Sequence, residues 1–92
     1  MNANARRLAD LDGIGKAALK DFHLLGIQSV QQLCNKKPEI LFEQLKRLSG
    51  PQDICVLDVL RCAIEQAKNP RLPKEQRQWW YWSKKRKGLS GK

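Results

Sequence analysis

Leu11-Asp12-Gly13-Ile14-Gly15-Lys16-Ala17-Ala18-Leu19 decides how this chain is read. Two glycines flank one apolar residue, and helix-forming residues follow. Glycine tolerates positive φ and lets another group approach the backbone closely. The first N–H groups of a helix have no partner within it, and the helix dipole is positive at that end, so the arrangement suits an anion. The stretch predicts a turn between two helices, with Ile14 anchored inward and Lys16 adding charge outside. Gly13, Ile14, Gly15 and Lys16 are therefore candidate phosphate-binding residues, with Lys20 one turn further along the same helix.

Working outward, a helix is expected from a cap at Asn4 to Asp10, with Ala5, Leu8 and Leu11 on one face. A second starts near Lys16 and lines up Ala18, Leu19, Phe22 and Leu25 before Gly26 stops it. Ser29 and Gln32 have the spacing of a capping box, which opens a short third helix to about Cys34. Pro38 suits the first position of a fourth, whose buried face is Leu41, Phe42, Leu45 and Leu48. Ser49-Gly50-Pro51-Gln52 interrupts the chain, and a fifth helix is expected from about Asp53 to Asn69. Its apolar stripe of Ile54, Leu57, Leu60, Ile64 and Ala67 is widened by Cys55, Val56 and Cys62, which predicts a central helix touched from several sides. No alternating strand pattern occurs, so the expected class is all-α. The expected plan is a bundle over residues 1–70, then a Trp-rich segment packing on it, with a flexible basic tail over 83–92.

Leu48-Ser49-Gly50-Pro51-Gln52-Asp53 repeats the pattern of Leu11-Asp12-Gly13-Ile14-Gly15-Lys16. The first stretch resembles the helix-hairpin-helix motif of DNA-binding and DNA-repair proteins. The pair resembles a tandem of such hairpins in a five-helix SAM-like bundle, where each hairpin holds one strand of DNA. The second copy departs from the pattern: Pro51 has no N–H to donate, Gln52 replaces the second glycine, and Asp53 puts a carboxylate where Lys16 stands in the first. It is read as degenerate and structural.

Composition narrows the function classes. Ninety-two residues make one small domain, and hydrophobic content of 41% supports a compact core. No apolar run is long enough to span a membrane, and Met1-Asn2-Ala3-Asn4 lacks an apolar signal segment, so a cytoplasmic setting is expected. Cys34, Cys55 and Cys62 form no C-x-x-C pair and, with His23 alone, no familiar zinc set; they are read as reduced thiols, and no metal or cofactor is expected. No nucleophile–base pair or paired carboxylate stands out; Asp10, Asp12 and Asp21 read as solvated charges at helix ends, and His23 as a surface residue. An enzyme is therefore not expected.

The net charge of +9 is uneven. Residues 1–70 hold ten Lys/Arg against eight Asp/Glu, whereas residues 71–92 hold eight against one. Lys84, Lys85, Arg86 and Lys87 would be a flexible polycation attracting phosphate without regard to sequence, or simply a solubilising end. Just before them lies Trp79-Trp80-Tyr81-Trp82. Trp79 and Trp82, three apart on a short helix, are expected to dock on the bundle; the competing reading is that some of the rings stack on unpaired bases.

Several separated blocks together carry a family resemblance: the first hairpin, Leu24-Leu25-Gly26-Ile27-Gln28-Ser29-Val30, Pro38-Glu39, Arg61-Cys62-Ala63 and Trp79-Trp80-Tyr81-Trp82. Over roughly residues 6–83 the chain resembles small bacterial proteins labelled pathogenicity-locus or mitomycin-resistance proteins. The resemblance implies a helical fold, a cytoplasmic setting and a link to DNA damage. Two functions remain in view: a sequence-independent DNA-binding module, or a docking module for an unidentified protein.

Overall fold

A computed structural model describes residues 6–88 of the chain. It has five α-helices: α1 (Lys16–Leu24), α2 (Val30–Leu33), α3 (Pro38–Ser49), α4 (Ile54–Lys68) and α5 (Trp79–Arg86). Short 3-10 turns stand at Leu8–Asp10 and Lys74–Arg77, and no strand occurs among the described residues. The described residues are all-helical with five α-helices, but they are not the five read from the sequence. The stretch before the glycine turn is only a three-residue 3-10 turn, and its expected cap, Asn4, lies outside the described residues. Asp10 accepts the Arg7 N–H at 2.8 Å, and extended backbone at Leu11 stops the turn. The fifth helix is instead the aromatic segment.

α4 is the central element. It packs against α2, α3 and α5, and buries Leu60, Cys62, Ala63, Ile64 and Ala67 together with two polar residues, Asp58 and Gln66. Phe22, Val30, Leu33 and Ile64 are almost wholly enclosed, and each such side chain contributes about 1.5–3 kcal/mol by leaving water. Two residues expected inside are not: Leu48 is 58% exposed and Ile54 46%. Leu48 sits in the last turn of α3, where it borders an open depression with Leu25, Gln44 and Arg47, and Ile54 opens α4 before that helix enters the core.

The helix ends follow local chemistry. Gly26 takes φ +77°, donating to His23 O, while the Ile27 N–H reaches back to Phe22 O at 2.9 Å. This paired return satisfies the last carbonyls of α1, and Phe22 and Ile27 are both buried in the core. Ser29 Oγ accepts the Gln32 N–H at 3.2 Å at the start of α2, as the capping-box reading requires. The Gln32 side chain, however, accepts from the Gln28 N–H, one residue further out than that reading.

Candidate nucleic-acid interface

The glycine turn is built on two buried anchors, Leu11 and Ile14. Between them the backbone of Asp12 is clamped by one side chain of α4. Its N–H donates to Gln66 Oε1 at 2.9 Å, and Gln66 Nε2 donates to its carbonyl at 3.0 Å. Arg77 adds an ion pair to the Asp12 carboxylate at 3.4 Å. Gly13 then takes φ +82°, which favours glycine, and its exposed backbone swings the chain into α1.

The donors at the turn divide into used and unused. The Ile14 N–H points back to Leu11 O at 3.4 Å, so it closes the turn rather than facing outward. The N–H groups of Gly13, Gly15, Lys16, Ala17 and Ala18 have no hydrogen-bond partner among the described residues. Gly13, Gly15, Lys16 and Ala17 are exposed, and nothing from the aromatic segment covers them. Lys16 and Lys20 project from the first turns of α1 into solvent. Beside the turn lies a shallow depression of about 220 Å³, walled by Ala17, Ala18, Val56 and Val59, with Asp21 at its edge. Burial pushes the Asp21 carboxyl above its ordinary value, against the opposing pull of Lys20.

The second glycine turn has a different outcome from the same start. Gly50 also takes a positive φ, +89°. Here, though, Asp53 caps α4, its carboxylate accepting the Cys55 N–H at 2.9 Å. That hydrogen bond holds the Asp53 carboxyl below the usual carboxylate range. An internal anion already occupies the place that an external one would take, and Pro51 supplies no donor.

The basic segment is not the loose tail expected from residue 83. α5 continues to Arg86, and Ser83 is buried. Lys84, Lys85 and Lys87 are exposed and make no ion pair among the described residues. Arg86, expected as a free cation with them, is tied to buried Asp58 on α4. Among the described residues no hydrogen bond or ion pair joins Lys84, Lys85 or Lys87 to the glycine turn. Trp82 docks as expected, its indole N–H donating to Gln76 O at 2.7 Å. Trp79 does not: it is 42% exposed at the first turn of α5, although it shares a helix face with Trp82, Ser83 and Arg86.

Sequence reasoning missed Asp58, Gln66 and the pairing of Arg77 with Asp12. Asp58 carried a signal, since it is an acid enclosed by the widened apolar stripe of α4. Gln66 and Arg77 carried none, because their partners are distant in the chain. His23 lies on the surface, and Asp12 is held in an ion pair rather than freely solvated. None of the three cysteines forms a disulfide among the described residues, and Cys62 is buried. Among the described residues no group of three His, Cys, Asp or Glu side chains is placed to hold a metal, and no helix is long and apolar enough to cross a membrane.

These features define a small, basic, all-helical protein with an open glycine turn braced from its central helix. The model of the Pathogenicity locus family, Cdd1, matches residues 1–88, and the chain belongs to that family. It is 32% identical over 83 residues to a protein of Streptomyces lavendulae named mitomycin resistance protein McrB, covering 89% of this chain and 75% of that one. No solved structure matches it.

Proposed function

We propose that this protein is a non-catalytic, sequence-independent DNA-binding module of helix-hairpin-helix type, with a phosphate held at the Gly13–Lys16 turn. The observation that carries the reading is the row of unpaired, outward-facing N–H groups at Gly13, Gly15, Lys16 and Ala17. Fixed backbone donors at a helix start bind an oxyanion without reorganising, and Lys16 and Lys20 supply a favourable field. The Gln66 clamp holds those donors in place before any ligand arrives. The relative's name, mitomycin resistance protein, supports a setting in the response to DNA damage, and the cytoplasm is the compartment we assign. With only one open turn, a duplex would be gripped on one strand, so binding is weak, about 10⁻⁴–10⁻⁶ M at physiological salt, and weakens as salt rises.

Gly15→Asp tests this. Gly15 is the cap residue of α1, its φ of −100° is open to any residue, and an added Cβ meets nothing within 4 Å. An aspartate there reproduces the arrangement of Asp53, placing an internal carboxylate where the phosphate would sit. Binding to labelled duplex DNA, followed by anisotropy at two salt concentrations, should be lost while the fold stays intact. A variant that binds as tightly as the parent overturns the reading. In that event a protein-docking role is favoured, resting on the exposed Leu48 beside Leu25 and Arg47.

A further inference from the structure

The aromatic segment splits into an anchoring half and an outward half. Trp82 is held through Gln76 and meets Tyr81 edge-on, with ring centroids 5.0 Å apart. Together with the Asp58–Arg86 pair, it fixes α5 on the bundle. The Trp80 side chain makes no hydrogen bond among the described residues and is 42% exposed. It borders an open depression of about 640 Å³ lined by Lys74, Glu75 and Gln78. Lys84 Nζ lies 5.2 Å from its ring centroid.

The charge around this ring is one-sided. Beyond residue 70, Arg71, Lys74, Lys84, Lys85 and Lys87 make no ion pair among the described residues, and Glu75 is the single acid. An exposed indole flanked by unpaired cations, beside a cleft with an amide on its wall, matches one ligand chemistry: a planar base joined to phosphates.

We propose that Trp80, with Lys74 and Lys84, is a stacking platform for an unpaired nucleotide, so that this face takes single-stranded nucleic acid. The proposal deepens the nucleic-acid reading of the glycine turn by naming the form of strand. A base lies on the indole, Lys74 and Lys84 meet the flanking phosphates, and the Gln78 amide, whose Nε2 spends one hydrogen on Lys74 O, keeps a second hydrogen and its oxygen for the base edge. Bases in an intact duplex have both faces covered, so the platform separates unpaired from paired strands.

The test uses the full chain with Trp80→Ala and Trp80→Phe, titrated with labelled oligothymidine and with a blunt duplex. Both substitutions sit on an exposed ring, and circular dichroism checks the fold. Trp80→Ala should weaken oligothymidine binding roughly tenfold or more and leave duplex binding unchanged, while Trp80→Phe retains most of the affinity. Equal oligothymidine binding by parent and Trp80→Ala overturns the proposal. So does an equal loss on both DNAs, or competition by poly-glutamate as effective as that by unlabelled oligothymidine. Gly15→Asp, run alongside, reports on the glycine turn separately. If it binds the duplex like the parent while Trp80→Ala loses oligothymidine binding, the turn falls and the platform stands; the reverse pattern removes the platform alone.

Discussion

Arg86 closes on the buried carboxylate of Asp58 from two nitrogens, Nε to Oδ1 at 2.9 Å and Nη2 to Oδ2 at 3.0 Å. The pair ties the last turn of α5 to the middle of α4, and Arg86 Nη2 also lies 3.5 Å from Ser83 Oγ. The hydrogen bonds to Asp58 raise the guanidinium's pKa further above its ordinary value, so its charge is fixed across all accessible pH. A buried ion pair is costly to break from one side, because the survivor keeps its desolvation penalty.

Arg86→Met strands the Asp58 carboxylate inside the protein. The melting temperature should fall by roughly 10 °C. The double variant Asp58→Leu with Arg86→Met, which removes both charges, should recover much of that loss. Thermal melts of the three proteins check it; an Arg86→Met protein that melts with the parent shows that the pair adds nothing.

Gln66→Leu removes both hydrogen bonds to the Asp12 backbone while keeping side-chain bulk. The cost should be about 2 kcal/mol, measured by chemical denaturation. Amide exchange should speed up at Asp12 and Ile14 more than in α2, because the clamp acts on the turn. Uniform acceleration across the bundle would assign Gln66 a general packing role instead.

The two glycines of the turn should respond oppositely. Gly13 lies at φ +82°, so Gly13→Ala forces a Cβ into the left-handed region at a cost of about 1–2 kcal/mol. Gly15→Asp should leave stability unchanged or raise it by a few tenths of a kcal/mol, as a capping carboxylate does. Denaturation midpoints for the two variants decide it, and a destabilised Gly15→Asp would show that the α1 start is not open.

Cys62 makes stability pH-dependent on the alkaline side. Burial pushes its thiol from an ordinary 9.0 up to about 11. Below pH 9 the thiol is protonated in both the folded and unfolded chain, and its contribution is fully present. Between 9 and 11 only the unfolded chain loses the proton, so stability falls with rising pH and the contribution is gone once pH passes the folded value. Melting temperatures of the parent and Cys62→Val, aligned at neutral pH, should therefore diverge over that interval, the parent falling faster. At pH 8 Cys62 should also resist alkylation in the folded protein, since its thiolate is scarce.

The sequence by itself determined the helical class, the glycine turn and the ends of α1 to α4. Those depend on neighbours within a few residues: Ser29 with Gln32, Pro38 at the head of α3, Gly26 after α1, and Gly13 before Ile14. The same locality explains why Asp53 was legible as an internal substitute for phosphate at the second turn. Tertiary structure alone decided which charges are free and which rings are exposed. Arg86 looked like any other cation in a basic run until packing brought Asp58 to it across 28 positions, and Gln66 gained its meaning from Asp12, 54 positions away. Trp79, Trp80 and Trp82 are identical in type and nearly adjacent, so nothing local distinguishes them. Their separate fates follow from where α5 meets α4, a contact whose geometry no short stretch of sequence encodes.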